Sequence, residues 1–179
     1  EGHRLFLQGD IGCGKSTLLH CLLGFIPYQH GEVRWFDRTC HQEKDFVPLR
    51  GKVGICFQHA GDQLFGPTVL DDVAFGPLNQ GLNRDEAYQI ALQQLERLNI
   101  VRLKDRSVNT LSGGETFLAS MALALGLADV IQSYAGGIHM DAMFIDEGFG
   151  TLDPDTLELA METLVQLQSS GRLIGMISH

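Results

Sequence analysis

Residues 9–16 of the sequence read GDIGCGKS and fit the pattern G-x-x-x-x-G-K-[ST]. They lie between a short apolar run, Leu5–Leu7, and an apolar-rich segment with leucines at helical spacing, residues 16–25. Glycines in such a loop let successive backbone N–H groups point at phosphate oxygens, while Lys15 reaches the terminal phosphates and Ser16 offers a hydroxyl to Mg²⁺. The stretch therefore predicts a strand, a phosphate-binding loop and a helix. The residues that we expect to bind a nucleotide are Gly9, Asp10, Gly12, Cys13, Gly14, Lys15, Ser16 and Thr17.

Size and composition limit the architecture. A length of 179 residues predicts a single domain, residues 1–179, because domains usually contain about 100–150 residues. Hydrophobic residues make up 44% and charged residues 20% of the chain, which is typical of a globular protein and excludes disordered and collagen-like chains. The net charge of −9 argues against a broad, non-specific field for nucleic acid.

The sequence predicts neither a membrane span nor a zinc site. Its longest nearly unbroken apolar stretch, residues 117–128, is shorter than the roughly 20 residues that cross a bilayer. The first residues contain no basic segment followed by an apolar run, so we expect no secretory signal. The four cysteines form no C-x-x-C pair and no Cys/His zinc spacing, which predicts reduced thiols in the cytosol and no zinc.

Strand and helix patterns alternate along the chain. The strands predicted after the first are residues 33–36, 53–57, 143–145 and 173–177, and the helices predicted after the first are residues 83–98, 117–131 and 154–168. Asn83 is the expected N-cap of the 83–98 helix, with Glu86 three residues on, and residues 134–137 are expected to form a turn. This order predicts an α/β fold of the P-loop NTPase type, a mostly parallel sheet flanked by helices, with an inserted helical lobe at about residues 62–125.

Two carboxylates, Asp146 and Glu147, follow the apolar run 142–145. Ligands bind at the carboxyl ends of strands in α/β sheets, so we expect both side chains to lie near the phosphates. Asp146 is predicted to hold the metal directly or through water, and Glu147 to orient and deprotonate the attacking water. Without the phosphate loop, the pair would be interpreted as two solvated acids after a strand.

A second anion-binding helix start is predicted at residues 111–115, which read LSGGE. One phosphate loop already serves one nucleotide, so the second turn implies a second subunit. A basic stretch precedes this turn, and we interpret it either as a solvated face or as a contact surface for a partner. Its members are Arg97, Arg102, Lys104 and Arg106.

In their order and spacing, these motifs resemble those of the ATP-binding-cassette (ABC) superfamily over nearly the whole chain. Residues 111–115 look like its signature motif, Gln58 like the glutamine loop, residues 151–153 like the D-loop and His179 like the switch histidine. The resemblance implies a head-to-tail dimer that closes on ATP and opens after hydrolysis, with ATP between the phosphate loop of one protomer and the signature turn of the other.

The resemblance also implies a role for each site residue. The implied catalytic residues are Glu147, His179 and Gln58, and the implied ligands of Mg²⁺ are Ser16, Gln58 and Asp146. The residues implied to act in trans are Leu111, Ser112, Gly113, Gly114 and Glu115, and Asp153 belongs to the D-loop.

The two parts of the chain resemble different relatives. Residues 1–113, above all residues 57–79, resemble the ATPase subunits of energy-coupling-factor and cobalt-type importers. Residues 114–179, above all residues 144–153, resemble SbcC, the ATPase subunit of a DNA-end nuclease. Transporters usually have Glu-Pro-Thr in place of Glu147-Gly148-Phe149.

Chain length favours the transporter. SbcC-type proteins separate the phosphate loop from the signature motif by a very long coiled coil with a zinc-hook cysteine pair, whereas Lys15 and Ser112 are only 97 positions apart here, without sustained heptads. Two explanations stay open: a transporter-like protein with an unusual second half, or a chimera of two parents joined near residues 111–115. Both ends look short for the family, so we also expect truncated ends, exposed sheet edges and weak or absent hydrolysis in isolation.

The expected function is binding and hydrolysis of Mg·ATP, as the energising subunit of a cobalt/vitamin-type importer. Its partners would be a second ABC protomer, in a homo- or heterodimer, and a membrane transporter subunit that docks a helix on residues 64–78. The protein would be cytoplasmic and peripheral at the inner face of the cell membrane. One alternative is an SbcC-like ATPase of DNA double-strand-break repair that partners a nuclease and DNA, and another is a non-hydrolysing ATP-binding fragment.

Overall fold

The computed structural model describes residues 3–35, 37–50, 52–134, 142–169 and 171–178. The strands are β1 (Arg4–Gln8), β2 (Val33–Trp35), β3 (Arg38–Cys40), β4 (Val53–Cys56), β5 (Ala142–Asp146) and β6 (Leu173–Ser178). The helices are α1 (Lys15–Leu22), α2 (Glu43–Arg50), α3 (Val69–Asn79), α4 (Arg84–Arg97), α5 (Gly113–Tyr134) and α6 (Pro154–Ser169). Short 3₁₀ turns lie at Ala60–Gln63, Val101–Leu103, Val108–Thr110 and Phe149–Thr151. None of the described helices has both the length and the apolar character needed to cross a membrane.

The central sheet has the strand order β1-β6-β5-β4, and every neighbouring pair is parallel. Asp146 lies opposite Ile177 of β6, and Ile145 lies opposite Cys56 of β4. Because the strands run in one direction, their carboxyl ends meet at one edge of the sheet. The predicted α/β fold with a mostly parallel sheet is confirmed.

β5 is buried along its whole length and faces two cores. Met143 and Ile145 belong to a core that is built largely by α3, α4, α5 and α6. Ala142 and Phe144 belong to a second core with residues of α1, α2, β2 and β3. Alternate residues of a strand face opposite sides of a sheet, so an unbroken apolar run suits a central strand that is covered on both faces.

Most predicted helices and strands are present, with shifted ends. α1 ends at Leu22 instead of continuing to residue 25, because the chain leaves the helical path at Gly24, whose φ is +73°. Gly24 lies against the Phe46 ring, with which a Cβ at this position would collide. The sequence pattern does not predict α2, which contains Pro48, or β3, which has only three residues. The predicted turn at residues 134–137 lies outside the described residues, apart from Tyr134 at the end of α5.

α3, α4 and α5 pack on one another, and we propose that they form the inserted helical lobe. The contact between α3 and α5 is close enough to involve backbone atoms. A Cβ on Gly76 would lie 3.0 Å from Leu127 Cα, and a Cβ on Gly126 would lie 3.0 Å from the Val73 carbonyl oxygen. Glycine at these two positions therefore permits the approach. The predicted capping box of α4 is confirmed, with Asn83 and Glu86 each accepting the other's backbone N–H.

A polar link at Asp71 joins α3 to α4. Thr68 caps α3, and its hydroxyl donates to Asp71 Oδ2 at 2.6 Å. Tyr88 of α4 donates its hydroxyl to Asp71 Oδ1 at 2.5 Å. The bonds from Thr68 and Tyr88 hold the pKa of Asp71 below its usual range, so this carboxylate is charged at neutral pH.

Asp71→Asn is expected to lower the free energy of unfolding at neutral pH by about 1–3 kcal/mol, since two hydroxyl donors lose a charged acceptor. The pKa of Asp71 is lower in the folded chain than in the unfolded chain. Its stabilising contribution is therefore present above the unfolded pKa and is lost as the pH falls through the folded pKa. Urea unfolding of both proteins should show a difference at neutral pH that shrinks at about pH 3.

The matched control is Asp105→Asn, which removes a charge from an exposed pair with Lys104 at 3.9 Å on the same lobe. Surface pairs of this kind contribute about 0–1 kcal/mol. Equal losses in the two variants at neutral pH would contradict the role given to Asp71.

Candidate functional site

The carboxyl edge of the sheet gathers segments that are far apart in the sequence. Residues 9–14 follow β1, Gln58 follows shortly after β4, and Asp146 is the last residue of β5. The N–H of Glu147 donates to the Ile177 carbonyl oxygen at 3.2 Å and so ties the segment after β5 to β6. The parallel sheet thus positions the predicted site.

Residues 9–14 form a tight loop in front of α1. Gly12 has φ +81° and Gly14 has φ +95°, a region that residues with a Cβ rarely adopt. Lys15 is 7% exposed, and its Nζ donates to the carbonyl oxygens of Gly9 at 2.8 Å and Asp10 at 3.0 Å. The ammonium group therefore lies within the curve of the loop, where the N-terminal N–H groups of α1 add a positive partial charge.

Ser16 and Asp146, two of the predicted metal ligands, are in contact. The Ser16 hydroxyl donates to Asp146 Oδ1 at 2.8 Å, and Asp146 is 2% exposed. Mg²⁺ prefers oxygen ligands and is usually held by one or two protein groups together with substrate phosphates. The hydroxyl and the carboxylate fit this ion. No cluster of three or more His, Cys, Asp or Glu side chains that could hold a metal occurs in the described ranges.

Gln58 and Glu147 are also in contact. Gln58 Nε2 donates to Glu147 Oε2 at 2.9 Å. Glu147 has φ +59°, a left-handed conformation that costs roughly 1–3 kcal/mol in a residue with a side chain. Its backbone bond to Ile177 holds this conformation, and the Gln58 amide holds the carboxylate. Strain of this kind concentrates at functional sites.

Gly148 continues the unusual backbone. Its φ is +92°, and a Cβ there would lie 3.1 Å from the Phe117 ring of α5. Phe149 packs on the same ring, with 5.4 Å between the centroids. Proline fixes φ near −65°, so a Glu-Pro-Thr segment could not follow this path. The segment after Glu147 is thereby packed against the helix that begins at the signature turn.

The signature turn caps α5. The Ser112 hydroxyl accepts the Glu115 N–H at 3.2 Å, and Glu115 Oε2 accepts the Ser112 N–H at 3.0 Å, which is a capping box. Ser112 and Gly113 are exposed, whereas Gly114 is buried. Within the described part of the chain, no hydrogen bond joins this turn to residues 9–16.

Asp153, the predicted D-loop residue, caps α6. Its carboxylate accepts the Thr156 hydroxyl at 2.6 Å and the Thr156 N–H at 3.0 Å, and these bonds hold its pKa below the usual range. A Cβ on Gly114 would lie 3.1 Å from Thr156 Oγ1 and 3.3 Å from Asp153 Oδ2. The end of the D-loop thus packs directly on the first turn of α5.

Comparison with known families agrees with this geometry. The sequence profile of the ABC transporter family matches residues 1–130. The chain belongs to this ABC transporter family.

Relatives of this ABC protein include ABC transporter ATP-binding proteins and SbcC proteins. It is 63% identical over 124 residues to an uncharacterized ABC transporter ATP-binding protein of Haemophilus influenzae, a match that covers 69% of this chain and 57% of the relative. It is 56% identical over 100 residues to the SbcC protein of the SbcCD nuclease from Staphylococcus epidermidis, a match that covers 55% of this chain and 10% of the relative. The chain therefore spans little more than half of the first relative and a small part of the second.

Among solved structures, the ABC protein is similar to cbiO1 from Clostridium perfringens, which is described as part of the ABC transporter complex cbiONQ. The TM-score is 0.82 at 29% identity, and the match covers 99% of this chain and 67% of that one. The predicted resemblance to ABC transporter ATPases and to SbcC is confirmed.

The ABC fold divides the predicted site residues into two groups. Lys15, Ser16, Gln58, Asp146 and Glu147 come together at the carboxyl edge of the sheet. Residues 111–115 and Asp153 lie at the starts of α5 and α6. The predicted nucleotide contact Thr17 is an exposed residue of α1, and the predicted switch residue His179 lies outside the described residues.

The contacts of the basic stretch in this ABC chain were not predicted from the sequence. Arg102 Nη1 lies 3.0 Å from Glu115 Oε1, and Arg106 Nη1 lies 3.1 Å from Glu115 Oε2. The signal in the sequence was the opposite charge of the basic stretch and of Glu115, the last residue of the LSGGE turn. It was weak because Arg102 lies in one 3₁₀ turn and a second, Val108–Thr110, separates Arg106 from Glu115, so no helix gives these residues a fixed spacing.

Lys15→Ala is expected to weaken ATP binding by at least about tenfold, because a charge-assisted contact to phosphate is lost. Titration with a fluorescent ATP analogue would measure the dissociation constant. The control is Lys44→Ala, which removes the same charge from an exposed position on α2. An unchanged dissociation constant in Lys15→Ala would disprove phosphate binding by the loop.

Proposed function

We propose that the chain binds and hydrolyses Mg·ATP as the nucleotide-binding domain of an ABC transporter. The observation that carries the proposal is the hydrogen bond of 2.8 Å between Ser16 and Asp146, which are 130 positions apart in the sequence. This contact unites the loop with the acid that would complete a magnesium-nucleotide site.

Each group at the sheet edge has a task in this proposal. The loop N–H groups and Lys15 hold the phosphates and stabilise the charge that develops on them during transfer. Ser16, Gln58 and Asp146 would hold Mg²⁺ or its waters, and the ion would supply positive charge beside the phosphate oxygens. His179 would steady the γ-phosphate, a role that comes from the family resemblance.

Glu147 is the proposed base. Its carboxylate accepts a hydrogen bond from Gln58, and its backbone is fixed in the left-handed region by Ile177. Such a carboxylate can orient a water molecule and take its proton as the oxygen attacks the γ-phosphate.

We further propose that two protomers assemble head to tail. The exposed positions of Ser112 and Gly113 support this arrangement, since the Ser112 hydroxyl and the Gly113 backbone lie at the surface, where a nucleotide held by another copy could reach them. The residues that would act from the second protomer are Leu111, Ser112, Gly113, Gly114 and Glu115, with Asp153 of the D-loop beside them.

A membrane subunit of a cobalt/vitamin-type importer is the proposed partner beyond the dimer. An exposed aromatic pair supports this, with Phe65 64% and Phe75 42% exposed and their ring centroids 4.7 Å apart. Asp72 of α3 accepts the N–H groups of Phe65 and Gly66 and thereby holds the loop that carries Phe65 against the helix that carries Phe75. A cavity of about 350 Å³ with a mostly apolar lining adjoins both rings. Docking there would hold the protein at the inner face of the membrane.

A second candidate is an SbcC-like ATPase that partners a nuclease at DNA ends. The identity of 56% over 100 residues to an SbcC protein favours it. The same nucleotide site would then drive coiled-coil and nuclease movement instead of transport.

Glu147→Gln is expected to reduce phosphate release by roughly 10²–10⁴-fold and to leave ATP binding in place, because only the proton acceptor is lost. Phosphate release and ATP binding should both be measured, with Glu158→Gln on the exposed face of α6 as the matched control. Equal phosphate release in Glu147→Gln and the parent protein would remove Glu147 from the mechanism. No release from either protein, with ATP bound, would favour the non-hydrolysing alternative.

Introducing a negative charge at the exposed aromatic pair should distinguish a membrane subunit from a nuclease as the partner. Phe65→Asp is expected to release the protein from the membranes of the cells that produce it, because a buried carboxylate in the docked surface is unfavourable. Fractionation would measure this, with Val47→Asp on α2, which is 60% exposed, as the control. Stimulation of hydrolysis by linear duplex DNA, with no membrane-bound fraction, would instead favour the nuclease partner.

A further inference from the structure

A carboxylate lies beside the turn that is proposed to contact ATP in trans. Glu115 Oε2 accepts the N–H of Ser112, so its negative charge is one hydrogen bond away from the turn. The side chain of Glu115 is only 19% exposed, which limits screening of its charge by solvent. A triphosphate that approached this turn would be repelled by an uncompensated carboxylate.

Two guanidinium groups meet this carboxylate. Arg102 Nη1 donates to Glu115 Oε1 at 3.0 Å. Arg106 Nη1 lies 3.2 Å from Oε1 and 3.1 Å from Oε2 of the same group. The cluster therefore holds two positive charges against one negative charge, and the nearby Lys104 pairs with Asp105 instead.

The carboxylate is ionised at neutral pH. The Ser112 N–H, the Arg102 side chain and the charge of Arg106 hold the pKa of Glu115 below its usual range. Removal of the arginines would thus leave a full negative charge next to the turn rather than a neutral carboxyl group.

The two arginines differ in what else they contact. Arg106 Nη2 also donates to the carbonyl oxygen of Thr110, which fixes the 3₁₀ turn just before the signature residues. Arg102 is 64% exposed at its side chain, and its side-chain hydrogen bond in the described structure goes to Glu115. A substitution of Arg102 therefore tests the effect of its positive charge on Glu115, whereas a substitution of Arg106 also removes a structural contact.

We propose that Arg102 and Arg106 are positioning residues that neutralise Glu115, so that the signature turn can accept the phosphates held by a second copy. This inference rests on the proposed head-to-tail assembly. It assigns a role in ATP-dependent dimerisation to a stretch that otherwise resembles a solvated basic face.

The test compares arginine substitutions with and without the charge of Glu115. Arg102→Gln and the double variant Arg102→Gln/Arg106→Gln are made in the parent chain and again together with Glu115→Gln. A glutamine at this position keeps the capping geometry but carries no charge. Analytical ultracentrifugation over a range of ATP concentrations measures dimerisation, and a fluorescent ATP analogue measures binding to the monomer.

In the parent chain, the double substitution is expected to weaken ATP-dependent dimerisation by roughly three- to tenfold, and Arg102→Gln alone by less. Binding of ATP to the monomer is expected to stay the same, since the phosphate loop is unaltered. In the Glu115→Gln background the same arginine substitutions should have little further effect. Raising the NaCl concentration to about 0.5 M should restore part of the loss, because salt screens the repulsion.

Lys104→Gln is the matched control, because it removes a positive charge from the same stretch without touching Glu115. Equal losses with and without Glu115→Gln, or a loss that salt does not change, would overturn the proposal and assign the arginines a structural role. If the parent chain itself fails to dimerise with ATP while it binds ATP, the proposed assembly fails first, and the inference fails with it.

Discussion

The hydrogen bond between Ser16 and Asp146 links the loop after the first strand of the sheet to its central strand, and the rest of the candidate site depends on it. It can form only because β5 is buried along its length and a single strand, β6, lies between β5 and β1. A one-residue slip of register in β5 would move Asp146 away from Ser16 and turn every side chain of the strand to the opposite core. The apolar sequence of β5 therefore determines the position of Asp146 at the candidate site as well as the packing of the strand.

Two glycines extend this constraint from the sheet to the signature turn. Gly148 lets the segment after Glu147 pack on Phe117, and Gly114 lets Asp153 and Thr156 pack on the first turn of α5. The proposed base and the proposed trans-acting turn of one protomer are thus joined by short packed contacts. A side chain at either glycine would push the two surfaces apart, because neighbouring atoms already lie within van der Waals contact distance of the position that a Cβ would occupy.

The parts that the sequence predicted are those with local or periodic signals. The phosphate loop has a fixed spacing, β5 has an unbroken apolar run, and α4 has a capping box, so each can be predicted from residues that are close in the sequence. The left-handed conformation of Glu147 was not predicted, because it depends on the contact with Ile177 across the sheet. The pairing of Arg102 and Arg106 with Glu115 likewise arises from the way the chain folds back before α5, which leaves no periodic trace.

The backbone-level contact between α3 and α5 has a mechanical consequence. With Gly76 against Leu127 and Gly126 against Val73, neither helix can slide along the other without a steric clash. α3 carries Phe75 on the exposed aromatic pair, and α5 starts at the LSGGE turn. A displacement of Phe75 along α3 would consequently move α5, and with it the turn at its start, together with α3.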